Sequence, residues 1–192
     1  MKKSLEIIKI SVILFLITAI AALVLAFVNQ KTAPLIAENE EKNIKTALQA
    51  IMPDAADFEE SDADVEEITD KYESEVNSLY IAKDGSGNNM GVCAIVETKG
   101  YDAGLISAIG VDKDGKVTGV EIISHNETPG LGANAEKEEF RSQYSGKSGE
   151  LSVVKADAKD NEINAISGAT LTSKGMTRAV NTAIAIADAV KE

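Results

Sequence analysis

A chain of 192 residues with 44% hydrophobic side chains is long enough for one domain of ordinary size plus an appendage, and its net charge of −12 argues against nucleic-acid binding, which needs clustered Lys and Arg. A single cysteine, Cys93, excludes an intrachain disulfide and a four-thiolate cluster, and a single histidine, His125, excludes a His-rich metal site. Any redox group here has to be organic and held by other side chains.

The run 10–28, ISVILFLITAIAALVLAFV, carries no charge. At about 1.5 Å per residue it spans roughly 28 Å, close to the ~30 Å hydrocarbon core of a bilayer. Residues 1–9 hold Lys2, Lys3 and Lys9 against Glu6, while Glu38, Glu40 and Glu41 follow the run. That bias predicts a single-pass protein of the inner or plasma membrane, with 1–9 cytoplasmic, 10–28 transmembrane and everything after about Asn29 outside. The alternative is a cleaved signal peptide with Ala19-Ile20-Ala21 as its site; against it, the apolar run continues to Val28.

Beyond the membrane, 34–52 opens with Pro34 at a first helical position and spaces Leu35, Ile36, Ile44, Leu48 and Ile51 as an amphipathic helix does. Pro53 ends it. The acidic stretch 54–67, poor in apolar side chains, reads as a surface loop, so that 29–66 forms a membrane-proximal helix and linker. From Leu79 the period changes. LYIAKD and MGVCAIVETK flank GSGNN, and LISAIGVD and KVTGVEIIS flank a turn at Lys113-Asp114-Gly115, giving two hairpins. Asp112 and Asp114 hint at a calcium loop, but the remaining ligands of that pattern are missing. A short helix at 134–144, a strand at 151–154 and a terminal helix from about Ser173 to Val190, striped by Val180, Ile184 and Ala187, complete the reading. Antiparallel strands packed with helices make 67–192 an α+β domain. Cys93, inside a strand, reads as a small buried hydrophobe. Tyr80, Tyr101 and Tyr144 could stack on a flat ring, but core packing is the default for each.

Two stretches carry possible chemistry. HNETPGLGAN, 125–134, makes a tight turn after a strand, where Gly130 and Gly132 let backbone approach a flat or anionic ligand and His125, Glu127 and Thr128 offer polar edges. A plain connecting loop explains it equally well, and a structural role suits His125 as well as a ligand contact does. SGATLTS, 167–173, precedes the terminal helix. Capping by Thr172 or Ser173 accounts for one hydroxyl. A phosphate on the unpaired amides of the helix start, beside Gly168 and Ala169, is the second reading.

SGATLTS resembles the S/T-G-A-T-x-T flavinylation motif, and HNETPGLG resembles the H-x-ETPGLG loop of FMN-binding domains. With the N-terminal anchor and both motifs in order, the whole chain resembles the G subunit of Rnf-type electron-transport complexes, related to the C subunit of the sodium-translocating NADH:quinone reductase. The resemblance implies a covalent FMN joined by a phosphodiester to Thr172, installed from FAD with magnesium by a separate flavin transferase. Ser167, Gly168, Ala169 and Thr170 would complete the recognition sequence, with Glu127, Thr128, Gly130, Leu131 and Gly132 on the flavin side. Tyr101, Asp102 and Gly104 stand where the family has a GYGG-like turn; Asp102 and Ala103 depart from it, and no ligand contact is assigned there. The function implied is an electron carrier within a ferredoxin:NAD oxidoreductase coupled to ion translocation, working with other membrane and redox subunits and not as an independent catalyst. No G-x-G-x-x-G turn for a nicotinamide appears, and one uncharged anchoring helix cannot itself form an ion path. The alternatives are a component like the quinone-reductase C subunit and a membrane-tethered scaffold without flavin, in which the hydroxyls only cap a helix.

Overall fold

The computed structural model describes residues 2–190, with side chains from Ile8 onward. Contacts divide the chain into two units, one up to Asn43 and one from Ile44 on. Helix α1, Lys2–Ile51, runs through both, and its apolar part is the one described helix long and apolar enough to cross a membrane. Two expected helices are therefore one, and Pro34 lies inside it. A proline removes one backbone hydrogen bond and crowds the preceding turn. It starts a new helix only where its neighbours also favour a turn. Residues 29–33 include no glycine, and the Thr32 hydroxyl folds back onto the Val28 carbonyl at 3.1 Å, so the helix persists.

In the second unit five strands form an antiparallel meander in the order β1-β2-β3-β4-β5: Asp57–Glu60, Ser74–Lys83, Asn89–Thr98, Leu105–Asp112 and Val117–Ser124. The expected acidic loop thus contains the edge strand β1 and the start of a short helix α2, Glu66–Tyr72. Side-chain pattern could not announce β1. Its backbone pairs with β2 from Asp57↔Lys83 to Glu60↔Tyr80, only Phe58 turns inward, and Glu59 pairs with Lys83. Its acidic side chains also discourage a further strand from adding there. The helical end of α1 and β1 belong to this unit, so it begins at Ile44, upstream of the boundary expected at 67.

The expected helix at 134–144 is a broken path: a 3-10 turn at Gly132–Glu136, one helical turn α3 at Glu138–Arg141 and another 3-10 turn at Ser142–Tyr144. Lys137, extended at φ −69° and ψ 138°, interrupts it. The strand expected at 151–154 is β6, Ser152–Val154, paired in parallel with β7, Glu162–Asn164, a partner too short to show alternation. Helix α4 runs Thr170–Val190, so SGATLTS overlaps its first turn instead of preceding it.

The period-2 alternation of β3 and β4 sends side chains to two different layers. Val92, Ala94, Val96, Leu105, Ile109 and Val111 pack against Met176, Val180, Ala183, Ile184 and Ala187 of α4. The stripe Val180, Ile184 and Ala187 is buried as expected. On the opposite face Ala82, Cys93, Ile95 and Ala108 meet Ala47, Leu48, Ile51 and Met52 at the end of α1. Small residues there permit a close approach: a methyl group at Gly119 would lie 3.0 Å from Ile51 Cα. Cys93 is fully buried, and burial pushes its thiol up to about 12. Tyr144 is also in the core, its hydroxyl 2.9 Å from Thr177 Oγ1.

Candidate functional site

Three connections meet at the start of α4: the turn between β3 and β4, the loop after β5, and residues 167–172. Helix α4 is held close to the first of them. The Thr98 hydroxyl donates to the Gly175 carbonyl at 3.1 Å, and a methyl group on Gly175 would come within 2.8 Å of the Lys99 carbonyl oxygen. The loop after β5 is braced by its own hydrogen bonds. The amides of Leu131 and Ala133 both donate to the Thr128 carbonyl, and Asn134 Nδ2 donates to the Gly130 carbonyl at 2.9 Å. Downstream, Arg141 donates to the carbonyls of Glu136 and Val120 and pairs with Glu121, fastening the segment to β5.

Glu127 joins all three connections. Only 5% exposed, it accepts the Tyr101 amide on Oε1 at 2.9 Å and the Thr172 hydroxyl on Oε2 at 2.7 Å. The fit around this carboxylate is tight. A methyl group on Gly100 would sit 2.1 Å from Glu127 Oε1, and one on Gly132 would sit 2.2 Å from Oε2 and 2.6 Å from Thr172 Oγ1. Glycine at 100 and 132 is what lets the carboxylate reach the hydroxyl. His125 serves this loop: its Nδ1 accepts the Glu127 amide at 3.1 Å, while Nε2 lies 3.1 Å from Glu136 Oε1 without the alignment of a hydrogen bond.

The start of α4 differs from a side-chain-capped helix. Ala169 occupies the position before Thr170 and has no side-chain acceptor to offer. Neither hydroxyl expected to cap it does so. Thr172 is turned to Glu127, and Ser173 Oγ accepts the Ile166 amide at 2.9 Å and donates to the Ala169 carbonyl at 3.0 Å. Among the described residues no hydrogen bond is made to the amides of Thr170, Leu171 and Thr172, which leaves an anion-favouring helix start. Gly168 leads into it at φ +77°, a conformation suited to glycine.

A cavity of about 480 Å³ opens here, lined by Glu127, Thr128, Leu131 and Gly132 from the loop and by Gly168, Ala169, Thr170, Leu171 and Thr172 from the helix start, with Tyr101 across from them. Its rim is apolar. Tyr101 is 65% exposed, Leu171 54% and Leu131 45%. Eight of the ten residues expected to form a site therefore meet around one cavity. Gly130 shapes the turn at φ +80° without lining it, and Ser167 lines a neighbouring hollow with Asn134, Phe140 and Asn164. Tyr101, expected by default in the core, is instead exposed and joins the lining, as does Leu171, which the sequence pattern did not single out. Tyr101 lies in the turn that departs from the family pattern, yet its amide donates to Glu127 and the residue lines the cavity; its signal was an aromatic in a short turn between two strands.

An apolar-rimmed cavity of this size, ending at a helix N-terminus with free amides, has the shape and polarity that suit a flat ligand bearing a phosphate. Residues 100–185 match the FMN-binding domain family, and residues 1–51 match the RnfG N-terminal region. The chain is 42% identical to the G subunit of the Na(+)-translocating ferredoxin:NAD(+) oxidoreductase complex of Acetobacterium woodii, covering 93% of this chain and 90% of that one. It is 32% identical to the G subunit of the proton-translocating ferredoxin:NAD(+) oxidoreductase complex of Clostridium ljungdahlii, over 86% and 83% of the two chains. The fold resembles Shewanella oneidensis NqrC with a TM-score of 0.52 and 22% identity, over 72% of this chain and 74% of that one. The chain belongs to the RnfG family, the G subunits of Rnf-type ion-translocating oxidoreductase complexes, and its folded part is an FMN-binding domain.

Proposed function

We propose that this protein is a membrane-anchored electron carrier of an Rnf-type ferredoxin:NAD oxidoreductase, with FMN joined to Thr172 by a phosphodiester. The observation that carries the reading is the placement of Thr172 at the floor of the cavity, in the first turn of α4 beside unpaired amides. Those amides favour the negative charge of a phosphodiester on that hydroxyl. Tyr101, Leu131 and Leu171 offer apolar surface to an isoalloxazine ring, and Thr128 a polar edge. FMN, when bound, supplies the capacity to pass electrons singly or in pairs. The chain's own part is to hold it, keep water off one side and present it to neighbouring redox subunits.

The apolar helix keeps the domain at the membrane, and the lysines of 1–9 favour an extracytoplasmic domain. A covalent link suits that location, because a dissociable cofactor would be diluted away while a tethered one stays at high effective concentration. A flavin transferase using FAD and magnesium is the partner for maturation, and ion translocation belongs to other subunits.

The test is the intact mass of the full chain co-expressed with a flavin transferase, together with flavin fluorescence of the denatured band. One FMN less one water, mapped to the peptide containing Thr172, is expected. Thr172→Ala loses it entirely, whereas Thr170→Ala only lowers the yield. Unmodified wild-type protein, with the transferase active on a control substrate, would leave a scaffold whose hydroxyls serve only the helix.

A further inference from the structure

The contact between Glu127 and Thr172 is more than the attachment of a cofactor requires. A threonine hydroxyl is a weak nucleophile at neutral pH and gains strength when a base takes its proton as it attacks. Here a carboxylate oxygen lies 2.7 Å from that hydroxyl, within the reach a general base needs. The carboxylate is located by the Tyr101 amide on its other oxygen, by two glycines that leave room only for backbone, and by burial to 5% exposure. Thr172 has no second hydrogen-bond partner through its side chain among the described residues.

From this geometry we infer that Glu127 is the proton acceptor for the modification of Thr172, so that the substrate protein supplies part of its own transfer chemistry. The inference rests on the reading that Thr172 receives FMN. In the step, Thr172 Oγ1 bonds to the phosphorus of the flavin-side phosphate of FAD, and the bond from that phosphorus to the oxygen bridging the two phosphates breaks. AMP leaves with the bridging oxygen. The proton of Thr172 Oγ1 passes to Glu127 Oε2, and nothing is oxidised or reduced. Retaining that proton also solves a charge problem. An ionised carboxylate would face the new phosphodiester anion at close range in a buried place, whereas a protonated one donates a hydrogen bond to it. Leu131 and Leu171 are the exposed apolar side chains lining the cavity that leads to the buried hydroxyl.

The titratable and charged groups on the three segments around Glu127 are Lys99, Tyr101 and Asp102 on the β3–β4 turn, His125 and Glu136 on the loop, and Lys174 and Arg178 on the first half of α4. Among the described residues none of their side chains shares a hydrogen bond with the Glu127 carboxylate, so no other side-chain base is in place.

The experiment compares the rate of FMN transfer to full-length wild type, Glu127→Gln and Glu127→Asp, read by intact mass with excess transferase and FAD, with thermal melting to follow folding. A base and a structural prop predict opposite orders. Gln keeps the size of Glu but cannot take a proton, and Asp keeps the base on a shorter stem. We expect Gln to slow transfer by about 10²–10⁴-fold, the usual scale for general base catalysis, and Asp to be faster than Gln. Gln equal to or faster than Asp would overturn the inference while leaving Thr172 as the attachment site. Failure of wild type to be modified would overturn both.

Discussion

The two faces of the central sheet are packed in different ways for different tasks. The face under α4 is thick, built from Val96, Leu105, Ile109 and Val111 against Met176, Val180 and Ile184, and the helix above it lies along the sheet with its first turn at the cavity. The face under the end of α1 is thin where Ala82, Cys93 and Ala108 lie beside a single buried isoleucine, Ile95, with Gly119 beneath Ile51. One face uses bulk to aim a helix N-terminus at a site. The other uses small side chains to seat the end of a helix close to the strands.

Changing Gly132 to Ala breaks the first arrangement most sharply. The added methyl group falls 2.2 Å from Glu127 Oε2 and 2.6 Å from Thr172 Oγ1, so the carboxylate and the hydroxyl cannot stay together. Loss of nearly all covalent flavin is expected in the mass experiment, and loading close to wild type would show that the contact is dispensable. Next in size come Met176→Ala and Ile51→Ala, each expected to lower unfolding stability by about 2–5 kcal/mol through the cavity left behind. They should differ in kind. Met176 is one turn after Thr172 on α4, so its loss is expected to lower flavin loading as well, whereas Ile51→Ala should spare loading in whatever fraction remains folded. Denaturant titration beside mass analysis separates the two.

The smallest effect concerns Cys93, buried on the thin face. Burial moves its thiol from 9.0 up to about 12, so in that window the folded state keeps a proton that the unfolded chain has released. Stability is then unaffected by this group below pH 9 and declines as pH rises through the window. Urea midpoints measured at about pH 8 and about pH 10.5 should fall less in Cys93→Ala than in wild type. Equal falls would mean that another group governs the alkaline side.

The hairpins were legible because short apolar, β-branched runs flank turns that carry Asp-Gly or Gly-Ser-Gly. The buried stripe of α4 was legible from Val180, Ile184 and Ala187 for the corresponding helical reason. What stayed hidden depends on partners distant in the chain. Strand β1 exists because β2 offers it a free edge, and β7 because β6 lies beside it. Pro34 shows the converse, a local signal overruled by helix-compatible residues on both sides. At the site, both motifs were visible as residue types, and their meeting around one cavity follows the resemblance that brought them together. The bond from Thr172 to Glu127 was not visible, since a sequence does not say which of several hydroxyls a carboxylate will face. Nor was the amide of Tyr101 on Glu127, in a turn that departs from the family's glycine-rich pattern but keeps the backbone donor that the carboxylate needs.

The cluster of Gly100, Glu127, Gly132 and Thr172 draws on three segments that meet only when β3, β4, β5 and α4 are all in place. Closing such separated segments is costly in chain entropy and comes after local elements have formed. A half-folded chain would display the sequence SGATLTS but not the carboxylate that completes it. The proposed attachment of FMN would then be confined to domains in which all three segments have already met.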